Sequence, residues 1–222
     1  MADAASDHSS RHIVLVHGTC HGAWSWHRVT TRLRSAGHRV TALDLAASGV
    51  DERRFADYNQ PLVDVLASFP TRVLLVDHSL GGLNVALTTD KFPDKVAAGV
   101  FVTALLPDTL HPPSYVYCKL KLDDPTMPFW LDTRSGDEEK GPLSLLFGPK
   151  FMSVLYSRCS PEILMEDSTL AVALARPSSL FVKDLSSTSP LSESGLRLVG
   201  EGVRRVCGKD EALPEFSQRW MI

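Results

Sequence analysis

The sequence predicts an α/β protein, with a mostly parallel sheet flanked by helices and a helical segment inserted late in the chain. Three observations support this. Short apolar runs rich in β-branched residues recur at Ile13–Val16, Arg39–Leu43, Arg72–Val76 and Val96–Val102. Longer stretches with helical spacing, Trp24–Ala36, Asn59–Phe69 and Leu80–Lys91, separate them. After Pro107 the alternation stops, and Pro112, Pro113, Pro125, Pro128, Pro142, Pro149 and Pro161 divide the chain into shorter pieces.

Apolar runs without polar alternation suit strands covered on both faces. Their alternation with helices from residue 12 to about residue 102 favours right-handed crossovers and one parallel sheet. The proline-punctuated region reads as a cap, giving a core of residues 1–107 and 186–222 around an insertion of 108–185. Val203–Cys207 resumes the sheet, Gly208-Lys209-Asp210 makes a turn, and Pro214–Met221 has the pattern of a short amphipathic helix. Leu196–Arg204 reads as irregular.

The 222 residues are 44% hydrophobic and 22% charged, an ordinary globular composition. A formal net charge of −3 offers no general attraction to nucleic acid or to anionic membranes. The polar stretch Met1–Arg11 has no apolar signal segment, and no run approaches membrane-spanning length. Cys20, Cys118, Cys159 and Cys207 match no zinc or redox spacing, so free thiols and a cytoplasmic location are expected.

Chemistry concentrates at three places. In Leu74-Leu75-Val76-Asp77-His78-Ser79-Leu80-Gly81-Gly82 a strand runs into a helix with a serine at the join, the context of a nucleophile elbow. The alternative is that Ser79 merely caps the helix. His17-Gly18-Thr19-Cys20-His21-Gly22-Ala23-Trp24 follows the first strand and would face the same crevice at the carboxyl ends of the strands. There the Thr19 and Leu80 amides could receive an oxyanion, or the segment could be an ordinary loop with histidines on its surface. No acidic or thiolate cluster accompanies those histidines, so no metal is expected. Asp210, just past a strand end, stands where an acid orienting a histidine would come in the order Ser, Asp, His; alone it would be a turn residue.

At these places the chain resembles the α/β-hydrolase fold, and within it the plant methylesterases and hydroxynitrile lyases. The resemblance also takes in Ala42-Leu43-Asp44-Leu45-Ala46-Ala47-Ser48-Gly49, Phe92-Pro93-Asp94-Lys95-Val96, Trp130-Leu131-Asp132-Thr133, Gly148-Pro149-Lys150-Phe151, Cys159-Ser160-Pro161-Glu162 and Arg176-Pro177-Ser178-Ser179-Leu180-Phe181. It implies hydrolysis of methyl esters of small hormone acids such as methyl salicylate, methyl jasmonate and methyl indole-3-acetate, without metal or organic cofactor. Ser79 would attack, Thr19 and Leu80 would hold the oxyanion, and Asp210 would orient a histidine acting as base and then acid. Trp130, Phe147 and Leu180 match positions that line an apolar pocket with Gly18, although each also suits a core. Gly18 stands where cyanohydrin-cleaving members carry threonine, which favours the esterase branch.

Two departures accompany the resemblance. Asp77 occupies a position usually held by a small residue, so a distorted elbow is expected, with the carboxylate either turned outward or buried. The last histidine is His111, and the family's final strand, histidine loop and helix have no counterpart before the sequence stops at Ile222. An impaired catalyst is therefore expected, with an uncovered sheet edge that would favour a homodimer. The competing readings are a non-catalytic binder of a small carboxylic acid and a hydroxynitrile lyase.

Overall fold

A computed structural model describes residues 12–46, 54–120, 131–136, 144–195, 203–205, 209 and 215–220. Parallel strands β1 (His12–Val16), β2 (Arg39–Leu43), β3 (Val73–Ser79), β4 (Val96–Ala104) and β8 (Val203–Arg205) form one sheet in the order β2-β1-β3-β4-β8. The order places β1 and β4 on either side of β3, so the loops that leave their carboxyl ends converge beside Ser79.

Helices α1 (His27–Ser35), α2 (Phe55–Ser68) and α3 (Gly81–Lys91) connect the first four strands, as expected. The sheet is apolar on both faces. Val14, Val16, Val73 and Leu75 join a core with Leu62, Leu66 and Leu83. Ile13 and Leu15 pack on the other side with Trp26 and Val40. This two-sided burial is why β1 reads Ile-Val-Leu-Val without alternation.

Helix α2 begins at Phe55, ahead of the expected Asn59, and keeps Pro61 inside it. Buried Phe55 and Tyr58 hold the added turn against Phe181. Its first free amide is satisfied from far away, for Phe55 N–H donates to Asp184 Oδ2 at 2.7 Å.

Between β4 and β8 come α4 (Tyr115–Lys119), β5 (Arg134–Ser135), β6 (Ser144–Leu146), α5 (Pro149–Leu155), α6 (Pro161–Leu174), β7 (Ser178–Ser179) and α7 (Val182–Ser186). The region is not wholly helical: β5, β6 and β7 form a second, antiparallel sheet. Strands two or three residues long carry no readable period, which is why the sequence did not announce them. Helix α8 (Glu215–Trp220) follows β8. The irregular reading of Leu196–Arg204 needs correction at its end, because Val203–Arg205 pairs in parallel with Val100–Val102.

The inserted region is joined to α1 by Arg28, whose guanidinium donates from Nε and Nη2 to the two carboxylate oxygens of Asp167 on α6 at 2.8 and 3.0 Å. No described helix is long and apolar enough to cross a membrane. Among the described residues Cys20, Cys118 and Cys159 are free thiols.

Candidate active site

The end of β3 has the strained geometry that an exposed nucleophile requires. Ser79 adopts φ 56°, a left-handed conformation that costs a non-glycine residue about 1–3 kcal/mol and persists only where the surroundings impose it. Here they do. Ser79 C=O accepts from Leu105 N–H at 2.8 Å, and the ladder between β3 and β4 shifts register between His78 and Ser79, leaving Thr103 at φ 44°.

Helix α3 starts directly after the bend because two glycines let it approach the sheet. A β-carbon on Gly81 would lie 2.8 Å from the His17 carbonyl oxygen, and one on Gly82 would lie 2.5 Å from that of Leu105. The loop after β1 comes equally close. A β-carbon on Gly18 would lie 2.8 Å from the Ser79 β-carbon, which places Thr19 beside the elbow. Neither the Thr19 nor the Leu80 amide is engaged by another described backbone carbonyl. Both amides are thus without a described backbone partner beside Ser79, Leu80 heading the positive end of α3.

The histidines of this loop are structural. His17 Nδ1 lies 2.9 Å from Gly18 O, and Leu45 N–H donates to His17 Nε2 at 3.2 Å. A carbonyl can only accept, so Nδ1 carries the proton and Nε2 the lone pair, as in a neutral ring. His21 repeats the arrangement, with Nδ1 2.8 Å from Thr19 O and Nε2 3.0 Å from the Tyr156 hydroxyl. Burial lowers the pKa of His17 and pushes His21 down to about 4, as it does His78, where His21 and His17 add to the effect.

Asp77 is fully buried, and neither carboxylate oxygen has a partner. Its β-carbon would stand 3.4 Å from one placed on Gly81, an ordinary contact, so Asp77 itself does not demand glycine at position 81. Of the two expected placements the carboxylate takes the buried one, and burial pushes its pKa well above the usual range.

Among the other predicted site residues, Phe147 is half-buried and bridges the main core to a cluster of Cys20, Met152 and Ala171. Leu180 is buried, and its carbonyl accepts from the Tyr117 hydroxyl at 2.8 Å. Both sit in the apolar seam between the insertion and the sheet. Trp130 and Asp210 lie outside the described residues. His111 is half-exposed, with Nδ1 2.8 Å from Asp108 Oδ2 and its ring stacked on Tyr115. Burial alone would raise the Asp108 carboxyl, but the bonds from His111 and from the His111 and Leu110 amides hold it below its ordinary value.

Sequence reasoning did not single out Tyr156, whose partner His21 is 135 residues away, nor the part played by Asp44, whose Oδ1 accepts from Ala23 N–H at 2.7 Å and fixes the far end of the loop.

A serine at a strained strand-to-helix bend, facing a loop with a free amide, defines the class. Residues 13–222 match the model of the alpha/beta hydrolase family, and the chain belongs to that family. It is 45% identical over 224 residues to Methylesterase 1 of Arabidopsis thaliana, covering 96% of this chain and 83% of that protein. It is 44% identical to Salicylic acid-binding protein 2 of Nicotiana tabacum, covering 96% and 84%. The crystal structure of polyneuridine aldehyde esterase superimposes with a TM-score of 0.82 at 36% identity, covering 96% of this chain and 86% of that one.

Proposed function

We propose that the protein is a serine carboxylesterase acting on methyl esters of small plant hormone acids, of which methyl salicylate, methyl jasmonate and methyl indole-3-acetate are the expected substrates. The observation that carries this is Ser79 at φ 56° with Gly18 against it and the Thr19 and Leu80 amides free. In this reading the Ser79 oxygen bonds to the ester carbonyl carbon as its proton passes to the histidine base that the family resemblance implies, the two amides hold the oxyanion, and that proton is returned to the methoxide, which departs as methanol and leaves an acyl-serine that water cleaves to the acid. Asp210 orients the base, and Gly18, Trp130, Phe147 and Leu180 shape the pocket under a cap formed by residues 108–185. Relatives named as methylesterases and as a salicylic acid-binding protein support the choice of substrate class. A cytoplasmic location agrees with the free thiols.

The described histidines near Ser79 do not suit the role of base. The lone pairs of His17 and His21 are occupied by Leu45 N–H and the Tyr156 hydroxyl, and burial pushes His78 down to about 4. Turnover by these 222 residues alone should therefore fall on the order of 10⁶ below that of a complete triad, retaining roughly 10³–10⁴ over water from oxyanion binding. Incubation with methyl salicylate, with salicylate release measured against a Ser79→Ala control, tests the reading. Salicylate release that leaves an acyl adduct on Ser79, seen by mass spectrometry and lost in Ser79→Ala, supports it, whereas release that survives the substitution comes from oxyanion binding alone. The second reading, a binder of small carboxylic acids, is favoured by two free amides beside a serine with no described base. Micromolar salicylate binding without turnover would establish that reading instead.

A further inference from the structure

We propose that Tyr156 is a positioning residue for the oxyanion loop, acting through His21 to fix the Thr19–Cys20 peptide while the inserted region is seated. This rests on the esterase reading of the site.

The turn beside Ser79 is held in its less favoured form. His21 N–H donates to Gly18 O at 3.3 Å, closing a four-residue turn with Thr19 and Cys20 at its centre. Cys20 has φ 62° whereas Thr19 is not in the left-handed region, the pattern of a type II turn, which ordinarily wants glycine at Cys20's place. The more permissive type I form differs by a rotation of the central peptide, whose carbonyl is that of Thr19. That peptide directly follows the Thr19 amide, so its orientation sets the shape of the donor loop.

The peptide is held directly by His21, and the contacts that brace His21 and Cys20 come from the insertion. His21 Nδ1–H donates to Thr19 O at 2.8 Å, and because the ring is neutral its Nε2 can only accept, so the Tyr156 hydroxyl is the donor at 3.0 Å. Burial raises the Tyr156 pKa, so the hydroxyl keeps its proton. The His21 ring lies nearly parallel to those of Trp24 and Tyr156, with centroids at 5.2 and 6.1 Å. Just after the central peptide, Cys20 is held twice, its Sγ–H donating to Leu145 O and its carbonyl accepting from Arg176 N–H, each at 3.3 Å. Tyr156, Leu145 and Arg176 all lie between β4 and β8. Withdrawing the insertion would remove these braces and leave the peptide on the His21 bond alone, so seating the insertion and shaping the donor loop are coupled.

Two readouts on Tyr156→Phe, His21→Ala and His21→Asn test this. Hydrolysis of 4-nitrophenyl acetate should show kcat falling about tenfold in Tyr156→Phe with KM within about twofold, and falling further in His21→Ala, toward the roughly hundredfold loss of a missing oxyanion donor. His21→Asn, whose side-chain amide can donate to the same carbonyl, should recover part of that loss. Independently of turnover, nitrogen-15 spectra should show His21 protonated at Nδ1 and neutral down to about pH 4, and the Thr19 and Cys20 amide signals should move in Tyr156→Phe. Unmoved signals and an unchanged kcat in Tyr156→Phe, with Tm unaltered, would overturn the proposal. An inactive parent chain would count against the esterase reading only, since the amide signals still decide positioning.

Discussion

Gly18 and Ser79 are in contact across the site: a β-carbon on the first would stand 2.8 Å from that of the second and 3.0 Å from the carbonyl oxygen of His78. Backbone cannot move aside as a flexible side chain can, so Gly18→Thr must push the loop away from the elbow. The expected loss is about 1–3 kcal/mol of stability, together with a fall in any Ser79-dependent esterase rate. Urea unfolding and methyl salicylate hydrolysis measure the two effects. A variant that unfolds like the parent would show that the close approach is not obligatory.

Asp77 provides a test of burial. The folded state holds its proton more tightly than the unfolded chain, where the ordinary value is 3.8. Its contribution to stability is therefore complete below that value and is lost as pH rises from there through the folded pKa, with a slope of up to about 1.4 kcal/mol per pH unit. Asp77→Ala should be the more stable chain at pH 7, by roughly 1–3 kcal/mol, with the advantage shrinking toward pH 4. Unfolding midpoints of the two chains between pH 4 and pH 8 give this difference directly. A difference that does not vary with pH would mean that Asp77 does not titrate anomalously.

His21 acts with the opposite sign. Its folded pKa, about 4, lies below the ordinary 6.5, so the unfolded chain takes up the proton first. The stability it contributes is present above pH 6.5 and is lost as pH falls from there to about 4, by roughly 3 kcal/mol if the whole shift is realised. His21→Asn should flatten that acid limb in urea titrations, and an unchanged limb would assign acid sensitivity to other groups.

The bond from Phe55 N–H to Asp184 Oδ2 makes a residue of the insertion the cap of a helix that covers the sheet. Asp184→Ala should cost about 1 kcal/mol, and hydrogen exchange at Phe55 and its neighbours in the first turn of α2 should quicken more than exchange in β1. Uniform quickening would point to global rather than local destabilisation.

The strands and the elbow were legible because each is written locally: β-branched runs, a serine at a strand-to-helix join, and two glycines where α3 meets β1 and β4. β2 has the expected bounds, while β3 and β4 run on to Ser79 and Ala104, into backbone held by pairing and by Leu105 rather than by propensity. What could not be read was set by distant partners. The start of α2 depends on Asp184, the His21 ring on Tyr156, and the small sheet β5-β6-β7 on pairings between strands two or three residues long. Local sequence encodes none of these encounters.

The described imidazoles around Ser79 are uncharged at neutral pH, and this affects how an acid would leave. A carboxylate at the elbow would meet amide dipoles and apolar side chains, with no cation contributed by His17, His21 or His78. Its grip should then vary little with ionic strength, because dipoles at contact distance are screened far less than paired charges. Such a crevice would let a negatively charged product go without first having to break an ion pair.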